Sequence, residues 1–167
     1  PHWRGYSAIA AERTQGRPDS REQLDFSPDR EPVPAERIGP DGQYWHLQGR
    51  NQWPEQMPEL ERQAMAWATL MDHVGEELLG ALCVAIGLDE DHFADAFSGD
   101  RAWMAKLAHY VGGVTEAGSQ GVGLHADYGF ITLLLQDEVG GLEVRPYGQD
   151  EWLPVEPIPG ALVVNLG

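Results

Sequence analysis

The chain predicts an α+β, mainly β domain in which a sandwich of short strands is backed by one long helix. Three observations carry this reading. Leu60, Ala64, Trp67, Met71, Val74, Leu78, Leu82 and Ala85 recur at spacings of three and four, the period of an amphipathic helix. From about Trp103 onward the apolar residues instead fall in runs of strand length, broken by Gly, Asp and Pro. The helical and extended patterns are segregated along the chain, which argues for sheets backed by helices and against a doubly wound parallel sheet.

Residues 1–53 read as a loop-rich segment. Pro18, Pro28, Pro32, Pro34 and Pro40, with several glycines, leave only short apolar runs, so loops and short extended pieces draped on the rest are expected. Residues 54–100 supply the helical support. Pro54 and Pro58 mark the start of the long helix, Glu61, Arg62, Asp72 and Glu76 fill its polar side, and Gly87 stands where a glycine ends a helix. A shorter helix is expected after Asp89, whose carboxylate can cap the amides of DEDHFADAF. Residues 101–167 supply strands, expected over 104–111, 130–135, 142–145, 152–155 and 161–166. The three segments are expected to form one structural domain.

A chain of 167 residues with 42% apolar and 9% aromatic content can bury a hydrophobic core. Its 27 acidic and 11 basic residues give a formal charge of −16, which repels phosphate backbones and anionic lipid. Neither nucleic acid nor a membrane is expected as a partner. The one cysteine, Cys83, has no internal disulfide partner and falls within the helical pattern, so it reads as a small buried hydrophobe in a reducing, cytoplasmic setting. No apolar run approaches bilayer length, and PHWRGYSAIA lacks a signal-peptide pattern.

The chemistry concentrates at His125 and Asp127. They are separated by one residue, and on an extended backbone positions i and i+2 point the same way, so both side chains can converge on one ion. An imidazole and a carboxylate suit Fe(II), which takes two histidines and one carboxylate on one face and keeps other positions open; zinc or manganese would accept the same pair. The histidine should bind as the neutral ring, with its second nitrogen held by an acceptor the sequence does not reveal. Gly121 and Gly123 precede the pair, and Gly129 follows it before an apolar strand. On spacing alone, a metal site and a hydrogen-bonded surface pair fit equally well.

The wording of the sequence adds to its spacing. GLHADYGFITLLLQDEVGGLEVR, followed by WLPVEPIPGALVVNLG, resembles the isopenicillin N synthase-like branch of the Fe(II)- and 2-oxoglutarate-dependent dioxygenases. GRPDSREQLDF, NQWPE and KLAHY resemble the same family in the same order, so the resemblance covers nearly the whole chain. It implies a double-stranded β-helix, or jelly roll, backed by the long helix. It implies that His125 and Asp127 are iron ligands, that Tyr110 bonds the carboxylate of the cosubstrate, and that Thr132 and Leu134 face the substrate pocket. Read without the resemblance, Tyr110 is an ordinary strand aromatic, and Thr132 and Leu134 fill a barrel interior equally well.

Two departures from the family pattern stand out. Val111 follows Tyr110 where the family usually has proline, and no histidine follows His125 and no arginine follows Arg145. The family's third ligand and the arginine that holds 2-oxoglutarate are therefore expected beyond Gly167, with the fold incomplete at both ends and this stretch alone inactive. His109 is the other histidine in a strand pattern, but its side chain should oppose that of Tyr110. The resemblance implies an enzyme that uses Fe(II), 2-oxoglutarate and O2 to oxidise a C–H bond of a small organic substrate, by hydroxylation or desaturation. Its rivals are an isopenicillin N synthase-type oxidase that needs no 2-oxoglutarate, and a non-catalytic jelly roll kept as a binding module.

Overall fold

The period-3.6 pattern forms helix α1, Pro58–Ala85, with proline in its first turn beside Glu59 and Glu61, whose charges suit the positive end of the helix. It ends as Gly87 predicts. Gly87 takes a φ of +83° and donates to the Val84 carbonyl at 3.1 Å, while the Leu88 amide donates to the Cys83 carbonyl at 2.9 Å. These two bonds are the Schellman closure that a residue with a Cβ makes only under strain. The computed structural model describes residues 2–99, 101–112 and 120–167, in two units, Pro1–His125 and Ala126–Gly167.

In the first unit, four strands precede α1 and one follows it: β1 (Gly5–Ser7), β2 (Arg13–Thr14), β3 (Arg17–Pro18), β4 (Arg21–Phe26) and β5 (Ala105–Tyr110). β4 lies between β1 and β5, antiparallel to both, with Arg21 opposite Tyr110 and Phe26 opposite Ala105. β2 and β3 make a separate hairpin. Phe26, at 1% exposure, packs with Ala64 and Ala68 of α1, and Trp53, Met65, Trp103 and Ala105 close around them. The alanines let the helix approach the aromatic closely, and Cys83 is buried as expected.

Two expectations need correction. The first 53 residues are not merely loops and short extended pieces draped on the rest, because β4 is the central strand of the sheet and carries the core phenylalanine. Hydropathy hides it: Gln23 and Asp25, between the apolar Leu24 and Phe26, are buried too. Pairing offsets much of the cost: Gln23 Nε2 donates to Asp25 Oδ2 at 2.7 Å and Lys106 Nζ lies 3.4 Å from Asp25 Oδ1, leaving Gln23 Oε1 unpartnered. The second correction concerns residues 89–97, which form successive turns and no α-helix. Asp91 and Asp95, four apart, would face each other as like charges on a helix, and aspartate is a poor helix former.

The second unit holds β6 (Ile131–Leu134), β7 (Glu143–Val144), β8 (Leu153–Pro154) and β9 (Val163–Leu166). β6 pairs with β9 and β7 with β8, both antiparallel, at the places where the apolar runs predict strands. Between β6 and β7, Asp137 Oδ1 accepts from the Val139 amide at 3.0 Å, and Gly140 and Gly141 take φ of +76° and +102°. The acidic Gly-Gly turn is thus built from residues suited to it. Among the described residues no helix is long and apolar enough to cross a membrane.

Candidate metal centre

His125 ends the first unit, exposed, on a segment held from beneath. Its Nδ1 lies 2.8 Å from the Gly123 carbonyl oxygen. A carbonyl only accepts, so Nδ1 carries a proton towards it. Metal ligation through Nε2 would require a proton at Nδ1.

Asp127 lies in the second unit, half-buried, and its Oδ2 accepts a hydrogen bond of 2.8 Å from Asn165 Nδ2. Asn165 is on β9 directly opposite Thr132 on β6, and Val163 is opposite Leu134. Directly opposed residues of an antiparallel pair project to the same side, and so do positions two apart on one strand. Thr132 and Leu134 therefore share the face of the ladder from which Asn165 reaches Asp127. That phase was not readable through Gly129, whose φ is +107°.

Tyr110 ends β5. Its ring packs on Gly121, where an added Cβ would stand 2.9 Å from Cδ1, and its hydroxyl oxygen accepts from Arg21 Nη1 at 3.3 Å. Arg21 also meets Glu12 at 3.2 Å and the buried Asp19 at 3.9 Å. Burial opposes the Arg21 charge, but the bonds to Tyr110 and Glu12 outweigh it and hold the guanidinium above its ordinary value. The neighbouring His109 lies against Glu22, with Nδ1 2.8 Å from Oε1, and Tyr6 donates to the other Glu22 oxygen at 2.6 Å. The Tyr6 bond, then that of His109, holds the Glu22 carboxyl below the ordinary glutamate value, and the same bond raises the Tyr6 phenol.

An imidazole and a carboxylate are donors that suit a divalent cation, and the carboxylate is already held by an amide, as ligating carboxylates usually are. Among the described residues no three His, Cys, Asp or Glu side chains gather as a metal cage. A wide concavity of about 650 Å³ lies elsewhere in the first unit, lined by Arg4, Tyr6, Glu12, Asp25 and others. It includes neither Tyr110 nor His125, and its carboxylates Glu12 and Asp25 both lie near Lys106.

Sequence reasoning missed Asn165 and the hairpin residues that reach the His125 segment. A lone amide within the apolar run VVNL was the available signal for Asn165. Gln15 gave none, because its importance depends on a contact more than a hundred positions away, with the Leu124 carbonyl at 3.1 Å.

A family model described as the 2OG-Fe(II) oxygenase superfamily matches residues 103–167. Homoarginine-6-hydroxylase 2-ODD-C23 of Glycine max is 30% identical over 172 residues, covering 99% of this chain and 50% of the relative. The 2-oxoglutarate-Fe(II) type oxidoreductase hxnY of Emericella nidulans is 36% identical over 144 residues, covering 80% of this chain and 41% of the relative. Among solved structures, a Caulobacter crescentus protein described as of the 2OG-Fe(II) oxygenase family superposes with a TM-score of 0.74 at 30% identity, over 98% of this chain and 50% of that one. The chain spans about half the length of the curated relatives it matches. By the family match over residues 103–167, and by relatives aligned over nearly its whole length, the chain is similar to members of the 2OG-Fe(II) oxygenase superfamily.

Proposed function

We propose that the protein is a non-haem Fe(II)- and 2-oxoglutarate-dependent dioxygenase that oxidises a C–H bond of a small organic substrate, by hydroxylation or desaturation. The observation that carries this reading is a histidine whose Nδ1 is engaged by the Gly123 carbonyl, two residues before a carboxylate that Asn165 holds. The family likeness supports it, and we read the paired strands as part of a double-stranded β-helix. The buried free thiol of Cys83 suits a reducing, cytoplasmic setting.

His125 and Asp127 would hold the iron. When bound, iron and 2-oxoglutarate supply the oxidising power, with O2 consumed and the cosubstrate converted to succinate and carbon dioxide. The chain's own residues set the geometry. His125 contributes a neutral nitrogen donor, and Asp127 contributes the negative charge that offsets part of the cation. Tyr110, whose oxygen accepts from Arg21, keeps its hydroxyl hydrogen to donate to a cosubstrate carboxylate. Thr132 and Leu134, on the Asp127 side of the β6–β9 ladder, would meet the substrate, Leu134 excluding water and Thr132 offering a hydroxyl.

The test is Asp127→Ala in the full-length protein, assayed anaerobically for iron binding and then in air for succinate release from 2-oxoglutarate. Both should be lost while the helical circular dichroism stays as in the wild type. Retained turnover removes Asp127 from the site, and absence of succinate from the wild type with its substrate favours a binding module.

A further inference from the structure

We propose that the β2–β3 hairpin positions His125 for metal ligation, with Gln15 as its principal contact; this rests on His125 being a ligand. The hairpin turn is built on Gln15 and Gly16, with φ of +52° and +79°. Positive φ at both central positions marks the I′ type, which favours Asn-Gly, so glutamine is a costly choice at its first position. A strained residue retained at such a place calls for a compensating use. The side chain of Gln15 supplies one, donating from Nε2 to the carbonyl of Leu124, the residue before His125.

The rest of the hairpin grips the same segment. Gln120 Nε2 donates to the Thr14 carbonyl and to Asp19 Oδ1, both at 3.3 Å, and the Ser20 amide donates to the Gln120 carbonyl at 3.1 Å. Asp19, 1% exposed, is held in turn by the Thr14 hydroxyl at 2.8 Å. Thr14 also lies directly over Gly123, where an added Cβ would fall 2.9 Å from both Thr14 Cβ and Cγ2. The hairpin therefore fixes the backbone on both sides of the Gly123 carbonyl, and that carbonyl fixes the tautomer and ring direction of His125. Gln15 and Thr14 act on the metal only through this segment.

The experiment separates positioning from folding. Gln15→Asn suits the turn better but is one methylene too short to keep the bond to Leu124. In the full-length protein, melting temperature should stay level or rise, while the Co(II) dissociation constant, read anaerobically by visible absorption, rises roughly 3–10-fold, the worth of one neutral hydrogen bond. Gly123→Ala gives a second reading in the metal-free protein: ring-nitrogen NMR should show the wild-type His125 proton on Nδ1, and a mixture of tautomers in the variant. Wild-type Co(II) affinity in Gln15→Asn, or a loss matched by a lower melting temperature, overturns the proposal. So does an unchanged tautomer in Gly123→Ala. His125→Ala keeps the two readings distinct: if it leaves Co(II) binding intact, the metal site itself is wrong, whereas if it abolishes binding and the other variants change nothing, only the hairpin's role fails.

Discussion

Replacing Asn165 by leucine keeps the size of the side chain and its place on β9 but removes the donor to Asp127. The bond lost is 2.8 Å long and joins an amide to a carboxylate. Hydrogen bonds to charged groups contribute about 1.5–3 kcal/mol. Asp127 is only half-buried, so solvent screening favours the lower part of that range, and about 1.5–2 kcal/mol corresponds to roughly 10–30-fold in a binding constant. Loss of outer partners of metal ligands generally weakens binding by about 10–100-fold, in agreement. The assay is an anaerobic Co(II) titration of full-length protein against a competing chelator, with circular dichroism to confirm that the fold is kept. An affinity within about twofold of wild type would refute the reasoning, because a carboxylate that ligates equally well without its amide partner is not being held by it.

Two further outcomes follow from the first unit. Phe26→Ala empties a site walled by Trp53 and Trp103, whose ring centroids lie 5.2 and 6.2 Å away, and should lower stability by about 3–5 kcal/mol in urea unfolding; a loss under about 1 kcal/mol would mean the cluster is not a core. At the exposed Tyr6–Glu22–His109 cluster, the folded Glu22 value lies below its unfolded one, so its contribution to stability is full above the ordinary glutamate range and declines as pH falls through the lowered value. In Tyr6→Phe the Glu22 carboxyl, followed by carbon NMR, should titrate closer to the ordinary range, and an unmoved titration would contradict the bond.

The features legible in the sequence were those written in local pattern. The helix period, Pro58 and Gly87 fixed α1 at both ends, and the apolar runs placed β5 to β9. The candidate pair His125 and Asp127 was legible as spacing and wording, because it needs only two residues close in sequence. What escaped depended on long-range satisfaction. β4 reads as polar although Gln23 and Asp25 are buried, paired with each other and with Lys106 opposite on β5, a residue some eighty positions later in sequence. The grip of Thr14 and Gln15 on residues 120–124 is likewise a contact between distant stretches, and no periodicity reports it. The DEDHFADAF segment failed in the opposite sense: its apolar spacing suggested a helix, and its crowded aspartates prevented one.

The central claim is that His125 and Asp127 share one cation. It is tested most directly by anomalous scattering from crystals of the full-length protein grown anaerobically with Mn(II). A single manganese should stand within bonding distance of His125 Nε2 and of a carboxylate oxygen of Asp127, with the Gly123 and Asn165 bonds intact. An ion bound elsewhere at saturating manganese, with those two side chains turned apart, would contradict the account.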